Sequence, residues 1–191
     1  MFFFRPIGYM CSFFVILQAQ NDSKMEIKIK DVDLAKAAAE GMDAFLDVFV
    51  EAFLKPTDGQ ITAETLQNLN GDQITLLAYH VLHEELMDGG FVQLIQNGYG
   101  PFIFDNPFAK AMRLWGLKEF SKQIYKAKEI YDKDKVDLTR ERTDEEFMAM
   151  YEDYEVFDDL DDWFITEEEG ITAQIAYYVD EHMDRFAVIE N

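Results

Sequence analysis

His80 and His83 stand three residues apart and lead directly into Glu84 and Glu85. Side chains three positions apart share one face of a helix, and imidazoles with a carboxylate form a donor set that zinc accepts. The order found in zinc peptidases, two histidines four apart around a glutamate, is not met. The plainer reading is an ordinary histidine pair, exposed or hydrogen-bonded. His182, beside Glu181 and near Asp184, adds little to it. A denser set of potential ligands lies towards the C-terminus, in Glu152-Asp153-Tyr154-Glu155, Asp158-Asp159-Leu160-Asp161-Asp162-Trp163 and Glu167-Glu168-Glu169. Clustered carboxylates suit calcium or magnesium, but Trp163 falls where a calcium loop needs its spacer glycine. No metal and no cofactor is expected.

The remaining chemistry is sparse. No Gly-Lys-Ser/Thr phosphate loop, dinucleotide fingerprint or nucleophile elbow occurs. Gly89-Gly90 and Asn97-Gly98 read as turn and helix-end residues. Cys11, the single cysteine, has no partner for a disulfide and no assignable base. No catalytic residue is identified, and the chain reads as a binding protein. A metal-dependent enzyme using His80 and His83, and a dimerising structural module, are the alternatives.

Charge is the informative quantity. Asp and Glu total 38 against 17 Lys and Arg, a formal net charge of −21. Such a chain repels nucleic acid and anionic membrane, so its expected partner is a positively charged protein. With 49% hydrophobic residues, 17 Phe and 9 Tyr, the acidity must sit on a folded body, because disordered acidic chains lack aromatics. It is also segregated. Between Thr143 and Asp184 there are 16 acidic residues and no Lys or Arg, whereas Lys110 to Arg142 holds ten basic and six acidic residues. A plain solvated surface usually mixes both signs, and like charges held together oppose folding.

The elements that must carry this charge are helical. Leu34, Ala38, Met42, Phe45, Phe49 and Phe53 recur at three- and four-residue steps, which predicts a helix over 31–54 closed by Lys55-Pro56-Thr57-Asp58-Gly59. A short helix is expected over 62–69, a longer one over 72–87, and one or two turns over 91–97 closed by Gly98. Asn106 and Pro107 open a helix that runs to Trp115 or Gly116. The next reaches about Tyr131, with Lys118, Lys122 and Lys126 as a basic stripe. Thr143 and Glu146 fit a capping box for a helix to about Tyr154. Two more are expected, over 158–164 and 167–186. Glu26 to Lys30 alternates but is too short to carry a sheet.

The expected fold is therefore all-α, one multi-helix domain over 25–191 with an acidic C-terminal region. Residues 1–24 are set aside as either a signal peptide with cleavage near Ala19 or a start assigned too early, with Met25 as initiator. The protein is cytoplasmic on the second reading, and secreted or periplasmic on the first. The intervening hydrophobics (Phe147, Met150, Tyr151, Phe157, Leu160, Trp163, Phe164) suit the core side of helices. Glu152, Asp153, Glu155, Asp158, Asp159, Asp161, Asp162, Glu167, Glu168 and Glu169 are then left as an outward charge array. Carboxylates three or four apart on a helix lie about 5–6 Å from one another. Duplex DNA sets one phosphate per roughly 3.4 Å of axis on each strand.

The run Asp88-Gly89-Gly90-Phe91-Val92-Gln93-Leu94-Ile95-Gln96-Asn97-Gly98 resembles the signature of a bacterial family of unknown function that includes a DNA-mimic protein. Gly89, Gly90, Phe91, Gln93, Asn97 and Gly98 carry the resemblance, and the helix pair over 111–131 and the acidic helices ending near Phe186 agree in type. The resemblance implies an all-helical fold. For the DNA-mimic member it implies an acidic surface that occupies the DNA-binding face of a helix-turn-helix transcription factor. A basic nuclease is a second class of partner, and a homodimer is allowed.

Overall fold

The computed structural model describes residues 26–191, and these form two compact units. One comprises Val81–Glu168; the other joins 26–80 to Glu169–Asn191. The N-terminal segment, with the signal-peptide and Met25 readings and Cys11, lies outside the described residues. Nine α-helices occur among the described residues, and helices α4 and α9 each contribute to both units. No helix among them is long and apolar enough to cross a membrane.

In the unit holding both described ends, β1 (Lys28–Lys30) leads into α1 (Asp31–Glu40) and α2 (Met42–Leu54). The single helix expected over 31–54 is broken at Gly41, whose φ of 153° favours glycine. The break shifts the buried face: Leu34 and Ala37 are buried in α1, and Phe45, Phe49 and Phe53 in α2, while Ala38 and Met42 are exposed. Helix α3 (Ala63–Asn68) starts at a capping box in which Thr62 and Thr65 each receive the other's backbone N–H, at 3.1 and 3.3 Å respectively. Helix α4 (Gly71–Gln96) starts on a similar exchange between Asn70 and Gln73. Their side-chain amides then donate to the carbonyls of Arg185 and Phe186. The chain's far end returns as β2 (Val188–Glu190), paired parallel to β1 with Ile29 opposite Ile189. That strand pair corrects the expectation of no sheet; its two halves are too distant in sequence for a local pattern to reveal.

The other unit begins with the remainder of α4, followed by α5 (Gly100–Phe104), α6 (Phe108–Leu114), α7 (Lys118–Leu138), α8 (Asp144–Asp153) and the first part of α9 (Asp158–Glu181). Helix α5 was not expected. Gly100 makes it possible, because a Cβ there would stand 2.7 Å from the Tyr131 ring. Asn106 opens α6 by accepting the Phe108 N–H at 2.8 Å. Gly116, at φ 100°, turns the chain into α7, which continues seven residues beyond the expected Tyr131. The two helices expected over 158–164 and 167–186 are one continuous α9. The core of this unit is a run of packed rings, Phe157–Phe91–Phe104–Tyr131, with centroids 5.6, 6.1 and 4.8 Å apart. Edge-to-face Phe108–Phe120 and tilted Phe120–Phe164 extend it.

Candidate partner-binding surface

Helix α8 forms because Thr143 and Glu146 close the predicted capping box. The Thr143 Oγ1 accepts the Glu146 N–H at 3.3 Å, and Glu146 Oε2 accepts the Thr143 N–H at 3.0 Å. Three acidic side chains in the first turn, Asp144, Glu145 and Glu146, favour the positive end of the helix dipole. Met150 is buried and Phe147 and Tyr151 are half-buried, which leaves Glu145 and Glu152 on the opposite, exposed face. Seven residues separate them, two turns or about 10 Å of axis.

The base of α8 is anchored to the end of α7 through Asp137. Its carboxylate accepts hydrogen bonds from the Tyr154 hydroxyl at 2.6 Å, Arg140 Nε at 3.1 Å and Arg142 at 2.6 Å. These donors, Tyr154 foremost, hold the Asp137 carboxyl down at about 2. Burial, with that same carboxylate, pushes the Tyr154 phenol up to about 12. Arg140 also reaches Glu146 at 3.1 Å. The two arginines that precede the acidic tract are thus committed to its edge.

Helix α9 carries the longest acidic run, and here one register corrects the expectation. Phe157, Asp161, Phe164 and Glu168 follow at steps of four, three and four, and Phe157 and Phe164 are buried. Asp161 and Glu168 therefore face the same side as the core and do not project outwards. Glu168 Oε1 lies 2.8 Å from His83 Nε2, with the Glu168 side chain only 14% exposed. Asp161 Oδ1 accepts the Phe91 N–H at 3.0 Å. The spacing to Phe157 and Phe164 was the signal that separates these two from the rest.

That bond explains the glycine motif. The α4 path leaves helical geometry at Gly89 (φ −158°, ψ 20°) and Gly90 (φ 69°, ψ −168°). Helical geometry resumes at Phe91, whose N–H has lost its partner in the preceding turn and takes Asp161 in its place. A Cβ on Gly90 would lie 2.4 Å from Asp161 Oδ2, so glycine is required by both angle and space. The Tyr151 hydroxyl donates to the Gly89 carbonyl at 3.1 Å. Gln93 donates to Glu85 and Asp88, and Asn97 to Glu85. Gly98, at φ 87°, ends the helix. The motif residues are a joint that seats α8 and α9. Burial first, then Asp158 and Asp162, push the Asp161 carboxyl up to about 7 against the opposing pull of the Phe91 N–H.

Eight of the ten expected array residues are exposed: Glu152, Asp153, Glu155, Asp158, Asp159, Asp162, Glu167 and Glu169. Asp158 and Asp162 lie one turn apart, with Asp159 beside them. Among the described residues no Lys or Arg comes within ion-pair distance of these eight. Asp144 and Glu145, exposed at the start of α8, belong to the same acidic surface. They were passed over because the capping box explained them as a helix start.

The histidines do not form the pair that their spacing allows. His80 Nδ1 lies 3.4 Å from Asp47, and His83 is held by Glu168 and Glu84. The basic stripe is real: Lys118, Lys122 and Lys126 are exposed on α7, and Lys110 and Arg113 are exposed on α6.

A family model described as DMP19-like protein matches residues 67–182. The chain belongs to the DMP19-like protein family. The match takes in all of α4 to α9, the Gly89-Gly90 joint included. A curated relative, the DNA mimic protein DMP19 of Neisseria meningitidis serogroup B, is 44% identical over 89 residues. That alignment covers 47% of this chain and 53% of the relative, so this DMP19-like chain spans about half the length of the curated protein it matches.

Proposed function

We propose that this protein is a DNA mimic, acting by binding and not by turnover. The exposed carboxylates of α8 and the first part of α9 occupy the DNA-binding surface of a positively charged protein. The observation that carries the reading is the run of exposed acidic side chains that no Lys or Arg among the described residues answers. Eight carboxylates held on a packed scaffold, at the spacings a helix dictates, offer a cationic groove what a phosphate backbone offers. Membership in the DMP19-like family, and the printed name of the relative, support the same reading. A helix-turn-helix transcription factor in the cytoplasm is the lead partner, and a basic nuclease the second.

The test begins with capture from the producing organism, followed by competition. Labelled DNA bound to the captured protein is titrated with this protein and followed by fluorescence anisotropy. Wild type displaces the DNA, and displacement weakens steeply as salt rises, because exposed charge pairs are screened beyond about 10 Å at 0.1 M salt. The variant Glu152→Gln/Asp158→Asn/Asp159→Asn/Asp162→Asn loses at least about tenfold in competing affinity, the scale of a few exposed pairs. A flat salt response, or a fully competent variant, overturns the proposal.

A further inference from the structure

The α6–α7 pair carries a surface of opposite character that the proposed mimicry does not use. Arg113 and Leu114 end α6 and Lys118 begins α7, across the three-residue turn at Gly116. Lys122, Tyr125 and Lys126 continue the exposed face one turn on. Leu114 is 75% exposed and Tyr125 44%. Of the cations only Lys122 has an ion-pair partner among the described residues, Glu119 at 2.7 Å. Glu129 is also exposed on this helix, yet the face remains cationic around two bare apolar side chains. In a chain of net charge −21, such a patch is electrostatically cheap to keep, yet it sits apart from the acidic run it would neutralise.

We infer that this patch docks on the acidic face of a second copy of the chain, and that self-association covers the surface used for mimicry. The argument is charge complementarity. The chain itself supplies the matching surface, the exposed carboxylates between Asp144 and Glu167 on α8 and the first part of α9, at a concentration equal to that of the patch. Both surfaces belong to the same compact unit, so a two-fold arrangement seats each patch on the other copy's acidic face and closes the pair. Leu114 and Tyr125 supply the apolar contact that charge alone does not, since exposed ion pairs contribute little by themselves. The inference rests on the proposed function only in naming what is covered: association and DNA-binding proteins compete for one surface.

The test is a charge swap on the full chain, read by sedimentation velocity. Wild type associates at about 20 mM salt and dissociates at about 0.5 M, where screening reaches only a few ångström. Lys118→Glu/Lys122→Glu/Lys126→Glu alone is a monomer at low salt, and so is Asp158→Lys/Asp159→Lys/Asp162→Lys alone. An equimolar mixture of the two restores the dimer, because each reversed surface meets its new complement. Circular dichroism establishes that both variants are folded, and a Lys→Gln triple variant with a partial loss serves if the reversals misfold. A monomeric wild type at low salt, association that persists in the lysine variant, or a mixture that stays monomeric overturns the inference. The proposed mimicry is judged separately: the lysine variant should compete with DNA at least as well as wild type. Failure of the aspartate variant to lose competition would sink the mimicry and leave the swap result standing.

Discussion

Along α7, Lys122 closes on Glu119 and Lys128 on Asp132, and Lys135 reaches Asp105 on the neighbouring turn. From Asp158 to Glu169, α9 has no Lys or Arg within reach among the described residues. Both helices bury one apolar stripe, so packing demands nothing different of their outer faces. The first spends its charge on local pairs, each worth a few tenths of a kcal/mol. The second keeps charge that works against its own folding. Within that second helix lies a finer contrast. Asp161 is recruited to the joint at Gly90, while Asp158 and Asp162, three and one residues away, are left to solvent. Position relative to Phe157 and Phe164 decides the role of each carboxylate; residue type does not.

Substitutions can break this contrast, and the largest effect belongs to the joint. Gly90→Ala forces a side chain into a backbone region that is essentially glycine-only and against Asp161, and should cost about 3 kcal/mol of stability by urea denaturation. An unchanged midpoint would mean the joint is soft.

Asp161→Asn keeps an oxygen for the Phe91 N–H and removes the charge. The carboxyl stands at about 7 in the folded protein against an ordinary 3.8, so the folded state holds its proton more tightly than the unfolded chain. Wild type therefore gains stability from this group as pH falls from 7 to 4, and above 7 the penalty is complete. The asparagine variant should be more stable than wild type at pH 8 by about 2 kcal/mol, the shift discounted for partial exposure. The difference should shrink towards zero by pH 4. Equal pH profiles for the two proteins would show that Asp161 is not the inward carboxylate.

Thr143→Ala removes half of the capping box and should lose about 1 kcal/mol. At the smallest end, Asp158→Asn or Asp162→Asn should stabilise by a few tenths of a kcal/mol, while Lys122→Gln should destabilise by a similar amount. Thermal melts at low salt resolve the two signs, and matching signs would erase the distinction between the helices.

Much of this was legible from residue spacing. The capping box at Thr143 and the helix start at Asn106 follow from local chemistry, and each is found in place. The break at Gly41 was not, since Leu34 to Phe53 keep a helical rhythm across it. The union of two expected helices into α9 was hidden by Glu167-Glu168-Glu169 and Gly170, which look like a boundary; Glu167, Glu169 and Gly170 lie on the exposed side of the helix, and Glu168 turns inward to His83. The role of Asp161 depends on Phe91, seventy residues away, a distance that no local pattern spans. Of the ten acidic residues expected to point outwards, eight are exposed, and Asp161 and Glu168 are not.

The parallel pairing of β1 with β2 has a consequence for biosynthesis. Lys28 and Glu190, joined at 2.8 Å, are 162 positions apart in the chain. A ribosome therefore releases the first strand long before its mate exists, and for that interval Ile27 and Ile29 have no strand to lie beside. Lys28 and Lys30 alternate with them, and a lysine on an unpaired edge deters another chain from adding there. The same two lysines that look incidental in the finished protein thus guard the edge of β1 until β2 is made.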